Sequence, residues 1–157
     1  SPTRGIISGG MVIESTTYQN NIDYVTIQTR GNSIDFGDLI GVARQTASCS
    51  SQTRGVIAGG YVPTSPNFTN VINYITIAST GNAENFGDLT VARGWAGGTS
   101  NQIRGIFAGG YAVSPIKYVN TIEYITIATA GNATDFGDEL VELGGKGVCS
   151  DAHGGLG

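Results

Sequence analysis

Residues 53–61 and 70–89 read TRGVIAGGY and NVINYITIASTGNAENFGDL, and both strings recur fifty residues earlier and fifty residues later. The earlier copies are TRGIISGGM and NNIDYVTIQTRGNSIDFGDL, and the later ones IRGIFAGGY and NTIEYITIATAGNATDFGDE. Arg4, Arg54 and Arg104 are in step, as are Tyr24, Tyr74 and Tyr124, the Gly-Asn pairs at Gly31, Gly81 and Gly131, and Phe36, Phe86 and Phe136. Self-similarity at such a period marks a repeat architecture, in which one copy cannot bury its apolar face alone. The chain therefore reads as a single repeat domain over 1–157, with repeats over 1–50, 51–100 and 101–150 and a C-terminal tail over 151–157. A residue common to all copies is first suspected of holding the repeat together.

The local pattern is that of strands. Glycine supplies 25 of 157 residues, and the apolar runs are short and β-branched. Val71 to Ile77 alternates with the period of a strand, Ile72 and Tyr74 on one face and Asn73, Ile75 and Ile77 on the other. Asp23, Asn73 and Glu123 share one position, which marks their face as the wetter one. Gly81-Asn82 reads as a turn, Ala83 to Leu89 as a strand carrying Phe86, and Val91 to Ser100 as a segment of small residues leading to the next arginine. Each copy thus offers about four short strands. The Gly pairs mark strand ends where the backbone turns or another segment approaches closely.

Composition narrows the function. Charged residues make up 13% of the chain, with eight Lys and Arg against twelve Asp and Glu and a net charge of −4. Nucleic acid is not an expected partner, because phosphate binding needs clustered cations. No apolar run is long enough for membrane insertion as a helix. The opening SPTRG enters directly in repeat register, as in a fragment or processed product. Cys49 and Cys149 occupy one repeat position among small residues and are expected as buried thiols, with a bridge as the alternative.

Divergence between copies concentrates in the loops Val12 to Asn20, Val62 to Asn70 and Ala112 to Asn120, each of which keeps an aromatic at Tyr18, Phe68 or Tyr118. Loops on a rigid scaffold carry recognition, and exposed aromatics anchor sugars and partner surfaces. Trp95, which breaks the repeat, is a fourth binding candidate, as core filler or sugar platform. No catalytic arrangement is legible: the single histidine, His153, lies in the Gly-rich tail, and no cofactor-binding motif is present. Asp38, Asp88 and Asp138 follow Phe-Gly in every copy; they read as turn residues accepting backbone N–H bonds or as partners of Arg4, Arg54 and Arg104, ahead of any metal role.

The Gly-Gly pair ending an apolar strand, the Tyr-bearing strand after a variable loop, the later aromatic and the Ala43-Arg44 and Ala92-Arg93 dipeptides resemble kelch-type repeats. The wording TRGVIAGGY, INYITIASTGNAENFGDLTVAR and CSDAHGGLG is similar to kelch-like tandem repeats of marine bacteriophage, especially cyanophage, virion structural and tail-fibre proteins. It departs from the usual kelch pattern in having Phe where a Trp stands. The resemblance implies an all-β fold of four-stranded, β-propeller-type blades, and suggests that HGGLG is a natural C-terminus. A threefold β-trefoil or β-prism is the alternative fold. Propellers close with four to eight blades, so three repeats point to a homo-oligomer formed through unpaired blade edges, the segment Val148 to Ser150 serving as a first strand. The function expected is a non-enzymatic structural and adhesive module on a virion or in the extracellular space. It would display loops to a host-surface glycan or protein. A lectin-like or carbohydrate-active domain of a secreted protein is the alternative.

Overall fold

The structure is a computed structural model that describes residues 3–113 and 116–150; His153 lies outside them. Repeat one supplies β1 (Arg4–Val12), β2 (Thr17–Thr26), β3 (Ile34–Asp38) and β4 (Ala47–Ser50). Repeat two supplies β5 (Arg54–Ala58), β6 (Val71–Thr76), β7 (Glu84–Asp88), β8 (Arg93–Gly94) and β9 (Gly97–Ser100). Repeat three supplies β10 (Arg104–Ala108), β11 (Tyr111–Val113), β12 (Ile116–Tyr118), β13 (Thr121–Thr126) and β14 (Thr134–Asp138). The described chain is all-β, in four antiparallel sheets. The sheets β4-β5-β6-β7 and β9-β10-β13-β14 are meanders of four strands, β1-β2-β3 has three, and β8-β11-β12 is a small sheet of three. The last strand of one repeat is thus the first strand of the next repeat's sheet, through the pairs β4–β5 and β9–β10. Residues 147–150, expected as a strand, are irregular.

The core lies between repeats. One cluster joins Val56, Ile72 and Phe86 of repeat two to Phe107, Ile125 and Ile127 of repeat three; the other joins Ile22, Phe36 and Leu39 of repeat one to Ile57 and Ile75 of repeat two. Strand β6 is therefore covered on both faces, and β13 on the face that meets repeat two, which corrects the reading of a wetter side: Asn73 is 9% exposed and Glu123 is 0%. Each is a junction group. The Asn73 Oδ1 accepts the Ile40 amide at 3.1 Å, and the Glu123 Oε1 accepts the Thr90 amide at 3.1 Å and the Thr90 hydroxyl.

The Gly pairs do what their positions imply. Gly59 has a φ of +63°, and a Cβ there would lie 2.5 Å from the Arg93 carbonyl oxygen. The adjacent Gly60 amide donates to that same oxygen at 2.9 Å. Gly10 makes this bond to Ala43 and Gly110 makes it to Leu143, so Ala43, Arg93 and Leu143 are the equivalent positions. The two Ala-Arg dipeptides are consequently one residue out of register. Arg44 corresponds to Gly94, whereas Arg93 is fully buried and ion-paired with Glu123 at 3.3 Å. Burial pulls the Arg93 pKa down, opposed by Glu123 and Glu139.

Arg4, Arg54 and Arg104 do not pair with the repeated aspartates. Their guanidinium groups lie over Tyr24, Tyr74 and Tyr124 at 4.6, 4.6 and 4.8 Å from the ring centroids. Arg4 also donates to the Ile77 carbonyl at 2.7 Å and Arg54 to those of Ile127 and Ala128 at 3.0 and 2.9 Å. The repeated Tyr rings are half-buried and meet Phe36, Phe86 and Phe136 edge-on at about 6 Å. Both cysteines are free: Cys49 is buried on β4, but Cys149, in an irregular segment, is exposed. Burial pushes the Cys49 thiol up to about 12.

Two outcomes are expected. Phe86→Ala, at a ring 2% exposed, lowers unfolding free energy by about 3–5 kcal/mol in denaturant titration; an unchanged midpoint contradicts the buried assignment. A thiol raised by burial stays protonated in the fold above the pH at which it ionises unfolded, so the Cys49 contribution is complete below the unfolded pKa and is lost as pH rises toward about 12. Mass spectrometry after brief alkylation at mildly alkaline pH then finds Cys49 unmodified; rapid labelling of it in folded protein contradicts this.

Candidate functional site

The divergent loops fold against one another. In repeat two, Tyr61 follows the Gly pair and bridges Arg44 of repeat one on one side and Phe68 of its own loop on the other. The Arg44 and Tyr61 backbones exchange two hydrogen bonds, at 3.1 and 2.8 Å. In repeat three the same arrangement is a regular sheet, with Tyr111 between Gly94 of β8 and Tyr118 of β12. Repeat one instead extends β1 and β2 into a long hairpin that sets Met11 opposite Tyr18. Every loop thus begins by pairing with, or lying beside, the segment that closes a repeat.

This backbone pairing lines up the rings. Tyr18 stacks on Tyr61 with centroids 5.8 Å apart and an interplanar angle of 21°. Tyr61 meets Phe68 edge-on at 5.2 Å, and Phe68 meets Tyr111 at 5.9 Å and Trp95 at 6.3 Å. Tyr111 continues to Trp95 at 5.9 Å and to Tyr118 at 5.1 Å. The Arg44 guanidinium lies 4.8 Å from the Tyr61 centroid and 5.2 Å from that of Tyr18. Its Nε is buried without a hydrogen-bond partner among the described residues, so ring faces are its principal neighbours there. The result is a continuous aromatic ridge across all three repeats, with one cation set into it.

The four sequence candidates all fall on this ridge, in different roles. Tyr118 is 47% exposed and Trp95 39%, and Tyr18 is half-buried. Phe68 is 4% exposed and is corrected from a surface contact to the buried ring beneath the ridge; its edge supports Tyr61, Tyr111 and Trp95 at once. Trp95 stands on a left-handed turn with a φ of +57°, in file with Gln45 and Gly145. Its amide donates to the Gln45 carbonyl at 3.0 Å and its carbonyl accepts from Gly145 at 2.9 Å. It packs against the ridge from outside rather than filling a strand core. Sequence reading missed Tyr61, Tyr111 and Arg44. The signal for the tyrosines was their place directly after the Gly pair; Arg44 was hidden by its false equivalence to Arg93.

Chemically, the ridge offers ring faces and edges, phenolic hydroxyls and one guanidinium. Such surfaces hold sugar rings and partner side chains by stacking and hydrogen bonding. Among the described residues no group of three or more His, Cys, Asp and Glu side chains is placed to hold a metal ion. Asp38 and Asp88 contribute their backbones instead, their amides donating to the side-chain oxygens of Asn82 and Asn132, both at 3.1 Å.

Single substitutions separate support from display. Phe68→Ser is expected to cost about 3–5 kcal/mol, as for loss of a buried ring, and Tyr118→Ser no more than about 1 kcal/mol. Denaturant titration of the two variants checks this; equal losses contradict the distinction.

No protein-family model matches the chain, and no curated protein matches it either.

Proposed function

We propose that this chain is a non-enzymatic structural and adhesive β-repeat module of a phage particle. Its scaffold is built of propeller-type blades, associates with further copies of itself, and presents the aromatic ridge to a host-surface glycan or protein. The observation that carries the reading is the ridge: the parts of the sequence that vary most between copies converge on one edge, where Tyr18, Trp95 and Tyr118 offer ring surface and Arg44 lies over Tyr18 and Tyr61. Meander order within each four-stranded sheet, and cores shared by consecutive sheets, support blades over a trefoil or prism. The phage setting, and with it a virion or extracellular location, rests on the wording shared with cyanophage repeats.

The ridge favours binding over catalysis because it gathers stacking groups and no nucleophile with an adjacent base. Nucleic acid does not suit it, since Arg44 is its one cation and the chain carries a net charge of −4. No helix among the described residues is long and apolar enough to cross a membrane. A lectin-like domain of a secreted protein would use the same ridge and differ only in what carries it.

Replacing Tyr18, Trp95 and Tyr118 together by Ser, with Phe68 kept, is expected to abolish attachment to a glycan array or host cells while the melting temperature falls by only a few degrees. Full attachment by the triple variant overturns the assignment.

A further inference from the structure

The two internal junctions are built alike. The Gly81 and Gly131 amides each donate at 2.7 Å to the carbonyl of the preceding repeat's phenylalanine, Phe36 or Phe86. The Ala83 and Ala133 amides donate to the Asp38 and Asp88 carbonyls at 2.8 Å, and these aspartates return their amides to Asn82 and Asn132. The repeated arginine crosses the junction to a carbonyl, and residue 73 or 123 receives an amide from residue 40 or 90.

At the two ends of the described chain each half of this set stands without its counterpart. On repeat three, Phe136 is 56% exposed where Phe36 and Phe86 are both 2%. Gly137 keeps a φ of +139° with nothing within 4 Å of its Cβ position, whereas Gly37 and Gly87 lie against the Gly81 and Gly131 backbones. The Arg104 guanidinium lies over Tyr124, with no carbonyl acceptor among the described residues. On repeat one, Ile27 is 60% exposed where Ile77 and Ile127 are 3% and 1%, and Ile7 is 56% exposed where Ile57 and Phe107 are 3% and 0%. Gly31 and Asn32 hold the turn position that docks on Phe-Gly-Asp at both internal junctions. Among the described residues, the free edge of β1 has no strand in the place where β5 and β10 receive β4 and β9. A cavity of about 490 Å³ lies there, lined by Gly5, Ile6 and Ser8 of β1 and by Ser48, Ser50 and Ser100.

We propose that repeat three of one copy docks on repeat one of a second copy through this same junction, and that the two copies close on each other. Phe136 and Gly137 then receive the Gly31-Asn32 turn of the second copy, and Arg104 reaches its Ile27 carbonyl. Residues 147–150 add to the second copy's β1 in the register of the internal pairs, Gly147 opposite Ser8 and Ser150 opposite Gly5, just as Ala47 lies opposite Ala58 and Ser50 opposite Gly55. The occupant is a second copy of this chain because the exposed halves match each other group for group. On the blade reading proposed above, on which this inference rests, two copies of these three repeats make a ring of six, within the four to eight blades that such rings hold.

Sedimentation equilibrium at micromolar concentration is expected to give twice the chain mass of 16.2 kDa. Phe136→Arg and Gly31→Leu alter opposite faces of the junction, at side chains exposed in the single chain, and each weakens association at least about 30-fold. Mixing the two variants restores part of the affinity, since one of the two junctions is then sound. Ile13→Arg, at an 81% exposed site away from the junction, leaves the mass unchanged. Cys149 alkylates slowly in the wild type and rapidly in Phe136→Arg. A wild-type monomer, a dimer indifferent to both junction variants, or growth without limit overturns the proposal. A dissociated Phe136→Arg chain that still attaches to glycan leaves the ridge assignment standing, and an intact dimer that never attaches removes only that assignment.

Discussion

The structure depends on one close approach: the Gly-Asn turn of each repeat lies directly on the Phe-Gly-Asp backbone of the repeat before it. Gly37 and Gly87 sit so near the Gly81 and Gly131 carbonyls that a Cβ at either would displace the turn, and their φ values of +146° and +152° disfavour any other residue. Once the backbones are in contact, the Phe36-to-Gly81 and Phe86-to-Gly131 hydrogen bonds fix the register between sheets. That register in turn buries Phe36 and Phe86, aligns Arg4 and Arg54 with carbonyls, and sets the loops of repeats two and three beside the preceding repeat's closing segment. The aromatic ridge is therefore a product of the junction as much as of the loops, since Tyr61 reaches Arg44, and Tyr111 reaches Gly94, only across it.

The same constraint explains where the copies differ inside the core. The second junction pairs Arg93 with Glu123, and the equivalent positions of the first carry Ala43 and Asn73. A fully buried arginine is tolerable only with a carboxylate beside it, because leaving either charge alone in such a site costs several kcal/mol. Having both together sets the two charges against each other, although the Arg93 Nε and Nη1 and the Glu123 Oε2 make no hydrogen bond among the described residues. The pair adds little net stability, in line with buried ion pairs generally, but neither member can be changed singly.

Much of this was legible from the period of fifty. All-β character, strand positions and the roles of the Gly pairs follow from residues held in step, which also marks the repeated Tyr and Phe positions as core; Phe36 and Phe86 are buried, but the tyrosines are only half-buried and Phe136 is 56% exposed on the uncovered face of repeat three. What was not legible is how faces are covered. Asn73 and Glu123 read as solvent-facing because strand alternation assumes that the polar position faces water, whereas that face is the one packed against the preceding repeat. Phe68 read as a surface anchor because it lies in a variable loop, yet the bridge to Tyr61 folds that loop back over its own ring. The Ala-Arg dipeptides misled because the one after Leu39 stands one position later than the one after Leu89, so that matching letters stand at different depths. Tyr18, Trp95 and Tyr118 were recognisable singly; that they share one ridge is a consequence of cross-repeat pairing, which no single copy of the sequence records.

If the turn-to-strand junction is the interaction that makes one object of the repeats, its amides must open only when the whole chain unfolds. Native-state hydrogen exchange of Gly81, Ala83, Gly131 and Ala133 measures this directly. The account predicts protection equal to that of the central ladders, such as Ile72 opposite Ala58 and Ile122 opposite Ala108. Exchange of those four amides at rates typical of exposed turns, with the ladders still protected, would contradict it.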